Sequence, residues 1–257
     1  MERKFDIVDD TNDIIRDFMN FPTQSINMAA FEPVSTSLQA LHLSLQRIAA
    51  NKKMNVLQFL SSIRQEGTST IASNYAVLVA QSHLIRRNGV HNSKSATVTV
   101  DKNRVLLIDA NLRNPTLHTV FGIQNEIGLS NIIYDGNSLN EAITSISDTQ
   151  LDVLPTGSIT ENPTRILKSD ALNQLINRFK SMYSLIIIDS APIVPYSDSL
   201  TFAHQVDGSV LVIEAGQTRR EVIESARKKI DFAGMRILGV VLNKRQYHIP
   251  KSIYKHI

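Results

Sequence analysis

The decapeptide SSIRQEGTST, residues 61–70, collects the groups best suited to chemistry in this chain. It lies between an apolar run and a helix-forming run, where backbone N–H groups and a helix N-terminus make a cradle for anions. A full phosphate loop follows G-x-x-x-x-G-K-[ST]: its glycines let the backbone wrap phosphate, and its lysine neutralises the outer oxygens. Gly67 and Ser69 keep that pattern, whereas Ser62 stands at the first glycine and Thr68 at the lysine. Glu66, Gly67, Thr68, Ser69 and Thr70 are the candidate phosphate-contacting residues of this loop. The same string also serves as a plain strand-to-helix turn, with Thr68 or Ser69 as its N-cap. Three more polar residues close apolar runs elsewhere: Asp109 in RVLLIDA (104–110), Asp189 in SLIIIDSAP (184–192) and Asn243 in RILGVVLNK (236–244). Strand-end aspartates often cap the next loop, and an Asn there often only steadies a turn.

The elements that must position these residues show in the apolar pattern. VLQFLSS (56–62), 104–110, LDVLPTG (151–157), 184–192, GSVLVIEAG (208–216) and 236–244 read as strands, nearly continuous in apolar residues as expected when both faces are covered. Helical spacing appears after Pro33 and Ser35 (Leu38, Leu41, Leu45, Ile48), after Thr70 (Ile71, Tyr75, Leu78, Val79), over 165–180 and over 219–231. The alternation predicts an α/β fold with a doubly wound, mostly parallel sheet. Ligands in such sheets bind beyond the C-terminal strand ends, where Ser62 to Ser69, Asp109, Asp189 and Asn243 all fall. Residues 86–103, RRNGVHNSKSATVTVDKN, read as an inserted hairpin or loop, and residues 1–33 as an N-terminal arm.

With 257 residues, 42% of them hydrophobic, the chain suits one main α/β domain with terminal extensions. It has no cysteine, which rules out disulfides, thiolate metal sites and cysteine nucleophiles. A net charge of +3 gives no general electrostatic case for nucleic acid. No apolar run is long enough for a membrane span and the N-terminus has no signal-peptide core, so a cytoplasmic chain is expected.

The segment VLLIDANLRNPTLHTVFG (105–122) resembles LLIDADLRRPSLHRLFG of the bacterial tyrosine kinases that control capsule and exopolysaccharide export, relatives of the MinD and ParA P-loop ATPases. Asp109, Arg113, Pro115, Leu117, His118, Phe121 and Gly122 carry the match. The segments 128–143, 151–167, 183–200, 206–222 and 237–244 follow in that family's order, so the resemblance spans roughly residues 34–244 and makes them one P-loop kinase-like domain, with 245–257 a basic tail. The resemblance implies ATP and Mg²⁺ as cofactors. It implies Ser69, Asp109 and Asp189 around the metal ion, directly or through water, and Asn243 near the adenine. Asp109, Asn111, Arg113 and Asp189 would line the catalytic crevice.

The departures gather at the same site. Where the family resembles PGEGKST, this chain has RQEGTST, so Arg64, Gln65 and Thr68 replace proline, glycine and lysine. Losing one such cation costs a few kcal/mol of transition-state stabilisation, roughly a hundredfold in rate. Asn111 replaces the second acid of Asp-x-Asp, and an amide takes up no proton. Arg64 has a planar fork suited to phosphate. Gln65 must accept a glycine's backbone, at about 1 kcal/mol if φ is positive. The helix that in the family resembles EAFRTLR and helps to build a ring of subunits reads TSLQALH here (36–42), with Thr36, Gln39 and His42 in place of the charged residues. The tail keeps only Tyr247 and Tyr254 of a tyrosine cluster. Lys244, Arg245, Lys251 and Lys255 offer charge to an acidic partner or the inner membrane surface.

These observations imply a kinase-like protein of polysaccharide assembly with impaired ATP use. It is expected to act as a regulatory or scaffold partner of a membrane polysaccharide co-polymerase or chain-length determinant, peripheral at the inner membrane through that partner, and open to homo-oligomer formation. The alternative is an active ATP-dependent tyrosine autokinase that recruits Arg64, Lys94 or Lys102. A positioning ATPase like ParA or MinD is a third possibility, set back by the absence of that group's signature lysines.

Overall fold

The computed structural model describes residues 36–49, 54–88, 103–158 and 162–244. The arm 1–33, most of the insert with Lys94 and Lys102, and the tail with Tyr247, Tyr254, Lys251 and Lys255 lie outside the described residues. Seven strands form one sheet: β1 (Val56–Ser61), β2 (Val105–Ala110), β3 (Thr144–Ser145), β4 (Leu151–Leu154), β5 (Leu185–Ser190), β6 (Gly208–Glu214) and β7 (Ile237–Asn243). Their order is β3-β4-β2-β5-β1-β6-β7, parallel throughout except for the short antiparallel β3. This is the mostly parallel, doubly wound sheet that the apolar runs predict.

Alternation along the strands divides the core between two faces. Leu57, Phe59, Val105, Leu107, Ile187 and Val210 pack beneath α1 (Thr36–Ala49) and α2 (Thr68–Asn88), which bring Leu38, Leu45, Ile71 and Tyr75. Val56, Leu106, Ile108, Ile186 and Ile188 face the other way, onto the helical layer around α7 (Asp170–Met182) with its Leu172, Ile176 and Phe179. Under α8 (Arg220–Phe232), Leu60, Leu211 and Ile213 meet Ala226 and Ile230. A strand buried on both sides needs no polar face, which is why the runs read as nearly unbroken apolar sequence.

Several boundaries differ from the sequence expectation for local reasons. Strand β4 stops at Leu154, because the Pro155 and Thr156 carbonyls turn away to accept from Leu129 and Ser130 at the start of α4 (Leu129–Tyr134). The single helix expected over 165–180 is two, α6 (Pro163–Leu167) and α7. The break falls where the Ser169 side chain accepts from the Leu172 N–H and restarts the helix. Residues 86–88 belong to α2 and not to the insert, since the helix meets no Gly or Pro until Gly89. Short helices α3 (Leu117–Phe121), α4 and α5 (Leu139–Ala142) fill the connection between β2 and β3.

Candidate functional site

Both strand-end aspartates reach the same face by strand parity. Leu107 and Ile187 pack toward α2, so Asp109 and Asp189, two residues on, fall on that face as well, and the two are direct register partners. The phosphate-loop segment connects β1 to α2, which puts the α2 N-terminus over the same strand ends.

The two carboxylates have different surroundings. Asp109 is fully buried, yet it accepts three backbone N–H groups, from Asn111 at 3.1 Å and from Thr116 and Leu117 at 3.0 Å each. Burial outweighs these donors and pushes its pKa up to about 6. Its hydrogen bonds fasten the loop that leads into α3, which is the capping role open to any strand-end aspartate. Asp189 is equally buried, and neither carboxylate oxygen has a hydrogen-bond partner. Burial first, and the charge of Asp109 second, raise its pKa well above the ordinary carboxylate range. The Ser69 hydroxyl is near enough to offset part of that rise, without closing a hydrogen bond of normal geometry.

A buried carboxylate without a partner is costly, and the compensation that suits it is a cation. The oxygens of Asp189 and Ser69, with Asp109 beside them, are a hard-oxygen set that fits Mg²⁺, an ion that keeps several waters and takes few protein ligands. The residues present therefore fit the metal that the sequence implies.

The loop itself is held by internal bonds. Gln65 adopts φ 67° and Gly67 φ 87°, so the glutamine does accept the left-handed conformation of the glycine it replaces. The Glu66 side chain points inward: one oxygen accepts from the Ser62 N–H at 2.6 Å and the Ile63 N–H at 2.9 Å, the other from the Thr218 hydroxyl at 2.5 Å. Glu66 thus braces the loop with its carboxylate. Asn243 is buried and donates to the Glu66 carbonyl at 2.8 Å, and a Cβ on Gly67 would come within 2.1 Å of its amide nitrogen. Gly67 is thus required twice, by φ and by the close approach of Asn243. Thr68 is buried at the lysine position, Ser69 is half-buried and Thr70 is exposed. Lys244 does not extend outward as part of a basic tail. Its ammonium donates to the Gln65 carbonyl at 2.6 Å and pairs with Glu214 at 3.1 Å.

Across the mouth, Asn111 has a buried side-chain oxygen with no partner. Arg113 is ion-paired with the buried Asp198 and stacked over Tyr196, with 4.2 Å from its Cζ to the ring centre. Asp198 also accepts from the Thr164 hydroxyl at 2.7 Å. Arg64 is hydrogen-bonded to the Tyr196 hydroxyl. Sequence reasoning missed Tyr196, Asp198 and Thr164. The available signal was two polar residues just past the Asp189 strand end and one in the first turn of α6, inside segments otherwise matched to the family. On α1, His42 bonds Tyr75 of α2 at 3.1 Å, and Gln46 at 2.7 Å, so this imidazole joins two helices.

No family model matches the chain. Individual proteins do. It is 29% identical over 212 residues to the tyrosine-protein kinase YwqD of Bacillus subtilis, covering 82% of this chain and 81% of the relative. It is 30% identical over 194 residues to the tyrosine-protein kinase CpsD of Streptococcus agalactiae serotype III, covering 75% of each. Among solved structures, the chimerical protein CapA2B2 superposes with a TM-score of 0.74 at 25% identity, over 88% of this chain and 92% of that one.

Proposed function

We propose a function from the premise that this chain belongs to the bacterial tyrosine-protein kinases: it binds nucleotide with Mg²⁺ weakly, transfers phosphate poorly, and acts as a regulatory or scaffold subunit. The observation that carries this proposal is the site's asymmetry. Its metal side is intact, with a buried, unpartnered Asp189 facing Ser69, while its phosphate side has a buried Thr68 in place of lysine. Bound Mg²⁺ would draw charge from phosphate oxygens. The loop backbone around Gly67 would orient the phosphates, Ser69 and Asp189 would hold the ion, and Asn243 would keep the loop against the adenine side. Two tasks lose their usual residue: Thr68 neutralises no developing charge, and Asn111 accepts no proton from an attacking hydroxyl.

Family membership supports the partner, a membrane polysaccharide co-polymerase of a capsule or exopolysaccharide system, through which the chain would reach the inner membrane. Among the described residues no helix is long and apolar enough to cross a membrane by itself.

Calorimetry with Mg·ATP and transfer of labelled phosphate test this function, on the unmodified chain, on Thr68→Lys, and on Thr68→Lys combined with Asn111→Asp. The lysine should tighten Mg·ATP binding by roughly tenfold or more. The double substitution should raise transfer by about a hundredfold. Transfer by the unmodified chain equal to that of the double variant would establish the active autokinase instead.

A further inference from the structure

Arg64 is the only cation contributed by the loop 61–70 itself. Its Nη2 donates to the phenolic oxygen of Tyr196, and its Cζ lies 5.3 Å from the centre of that ring. The ring is anchored independently: Arg113 stacks on it and is neutralised by Asp198, which the Thr164 hydroxyl steadies. The loop carrying Tyr196 is tied down further. The Ile193 and Val194 N–H groups donate to the Ser61 and Ser62 carbonyls, and the Lys229 ammonium donates to the Val194 carbonyl at 2.7 Å. Tyr196 is thus a fixed post, and Arg64 is a long, exposed side chain fastened to it.

The two arginines differ in one respect that decides their use. Arg113 has a carboxylate, whereas among the described residues Arg64 has none, and its one hydrogen-bond acceptor is a neutral phenol. A phosphate group can take both prongs of the guanidinium fork and brings an opposing charge of its own, neither of which a single phenol oxygen offers. The exchange is therefore downhill once phosphate occupies the loop three residues away. Residue 64 stands where the family resembles proline, so the arginine is a departure from that pattern.

We infer that Arg64 and Tyr196 form a releasable clasp at the mouth of the phosphate loop. The di- or triphosphate of a nucleotide opens it, and Arg64 leaves the phenol to bind the phosphate oxygens that a lysine would otherwise take. This rests on the proposed nucleotide binding and adds the residue that supplies the charge. The phenol competes with the ligand, so removing only its hydroxyl improves binding, while removing the guanidinium weakens it. Tyr196 is a positioning residue that acts through Arg64.

The test is calorimetric titration with Mg·ADP and Mg·ATP of the unmodified chain, Tyr196→Phe, Arg64→Gln, Arg64→Lys and the double variant Tyr196→Phe with Arg64→Gln, each first checked for cooperative thermal unfolding. Tyr196→Phe keeps the stacked ring and should tighten binding about two- to fivefold. Arg64→Gln should weaken it by about tenfold, and Arg64→Lys should recover part of that loss. In the Arg64→Gln background the phenylalanine should have no effect. Equal affinity of Arg64→Gln and the unmodified chain, or weaker binding by Tyr196→Phe, would overturn the clasp and leave nucleotide binding standing. Absence of binding by every variant would remove the nucleotide proposal, and the clasp with it.

Discussion

At the scale of single residues, Gln65 is the clearest point of strain. It holds φ 67° without being glycine, a conformation that costs an L-residue about 1 kcal/mol, and the Lys244 ammonium on its carbonyl helps to keep it there. Gln65→Gly should raise stability in urea by roughly 0.5–1 kcal/mol after allowing for the looser unfolded chain, whereas a β-branched Gln65→Val should lower it by more than about 1 kcal/mol. If both substitutions leave the urea midpoint where it was, the loop carries no strain. The sequence already exposed this residue, because a glycine-bearing motif shows where a left-handed backbone falls. Thr68 was singled out by the same motif, and Asp109 and Asp189 were singled out by the ends of the apolar runs. Tyr196 and Asp198 were not, since their bonds to Arg64 and Arg113 cross 132 and 85 residues, and no local pattern encodes such a pairing.

At the scale of elements, two-sided burial made five of the six parallel strands readable, because a strand covered on both faces has a nearly continuous apolar signature. Strand β7 keeps an apolar run although it is only half-buried at the sheet edge. The edge strand β3 has two exposed residues and leaves no such trace. The division of 163–182 into α6 and α7 was hidden for a different reason: apolar spacing runs across the break, and only the capping of Ser169 separates the two. That cap can be tested. Its hydroxyl accepts from the Leu172 N–H at 3.3 Å, so Ser169→Ala should cost about 1 kcal/mol in unfolding free energy, and Ser169→Asp should restore it. An unchanged denaturation midpoint in Ser169→Ala would mean that packing of Leu172 and Ile176 alone sets the start of α7.

At the scale of the whole molecule, the buried Asp109 and Asp189 make stability depend on pH in an unusual direction. Their folded-state pKa values are raised, Asp109 from the ordinary 3.8 to about 6 and Asp189 well above 3.8. The favourable contribution is therefore complete below about pH 4; that of Asp109 is lost as pH rises through 6, and that of Asp189 falls in the same direction. Other carboxylates follow their own curves, so the informative quantity is the difference from Asp189→Asn. Without metal, that variant should be the more stable at pH 7, with the gap closing toward pH 4, and Mg²⁺ should stabilise the unmodified chain alone. A gap that stays constant with pH, measured by denaturant titration, would show that the carboxylate is already compensated in the metal-free fold.

Helix α2 has a further consequence at this scale. Its 21 residues begin at the phosphate loop and finish at Asn88, about 30 Å away, and Asn103 and Arg104 lead into β2 from the end of the sheet opposite Asp109. The two described residues from which the insert leaves and returns, Asn88 and Asn103, therefore stand at the pole remote from the candidate site. A change in the length of the chain between those two roots therefore enters the fold a full helix length away from the candidate site.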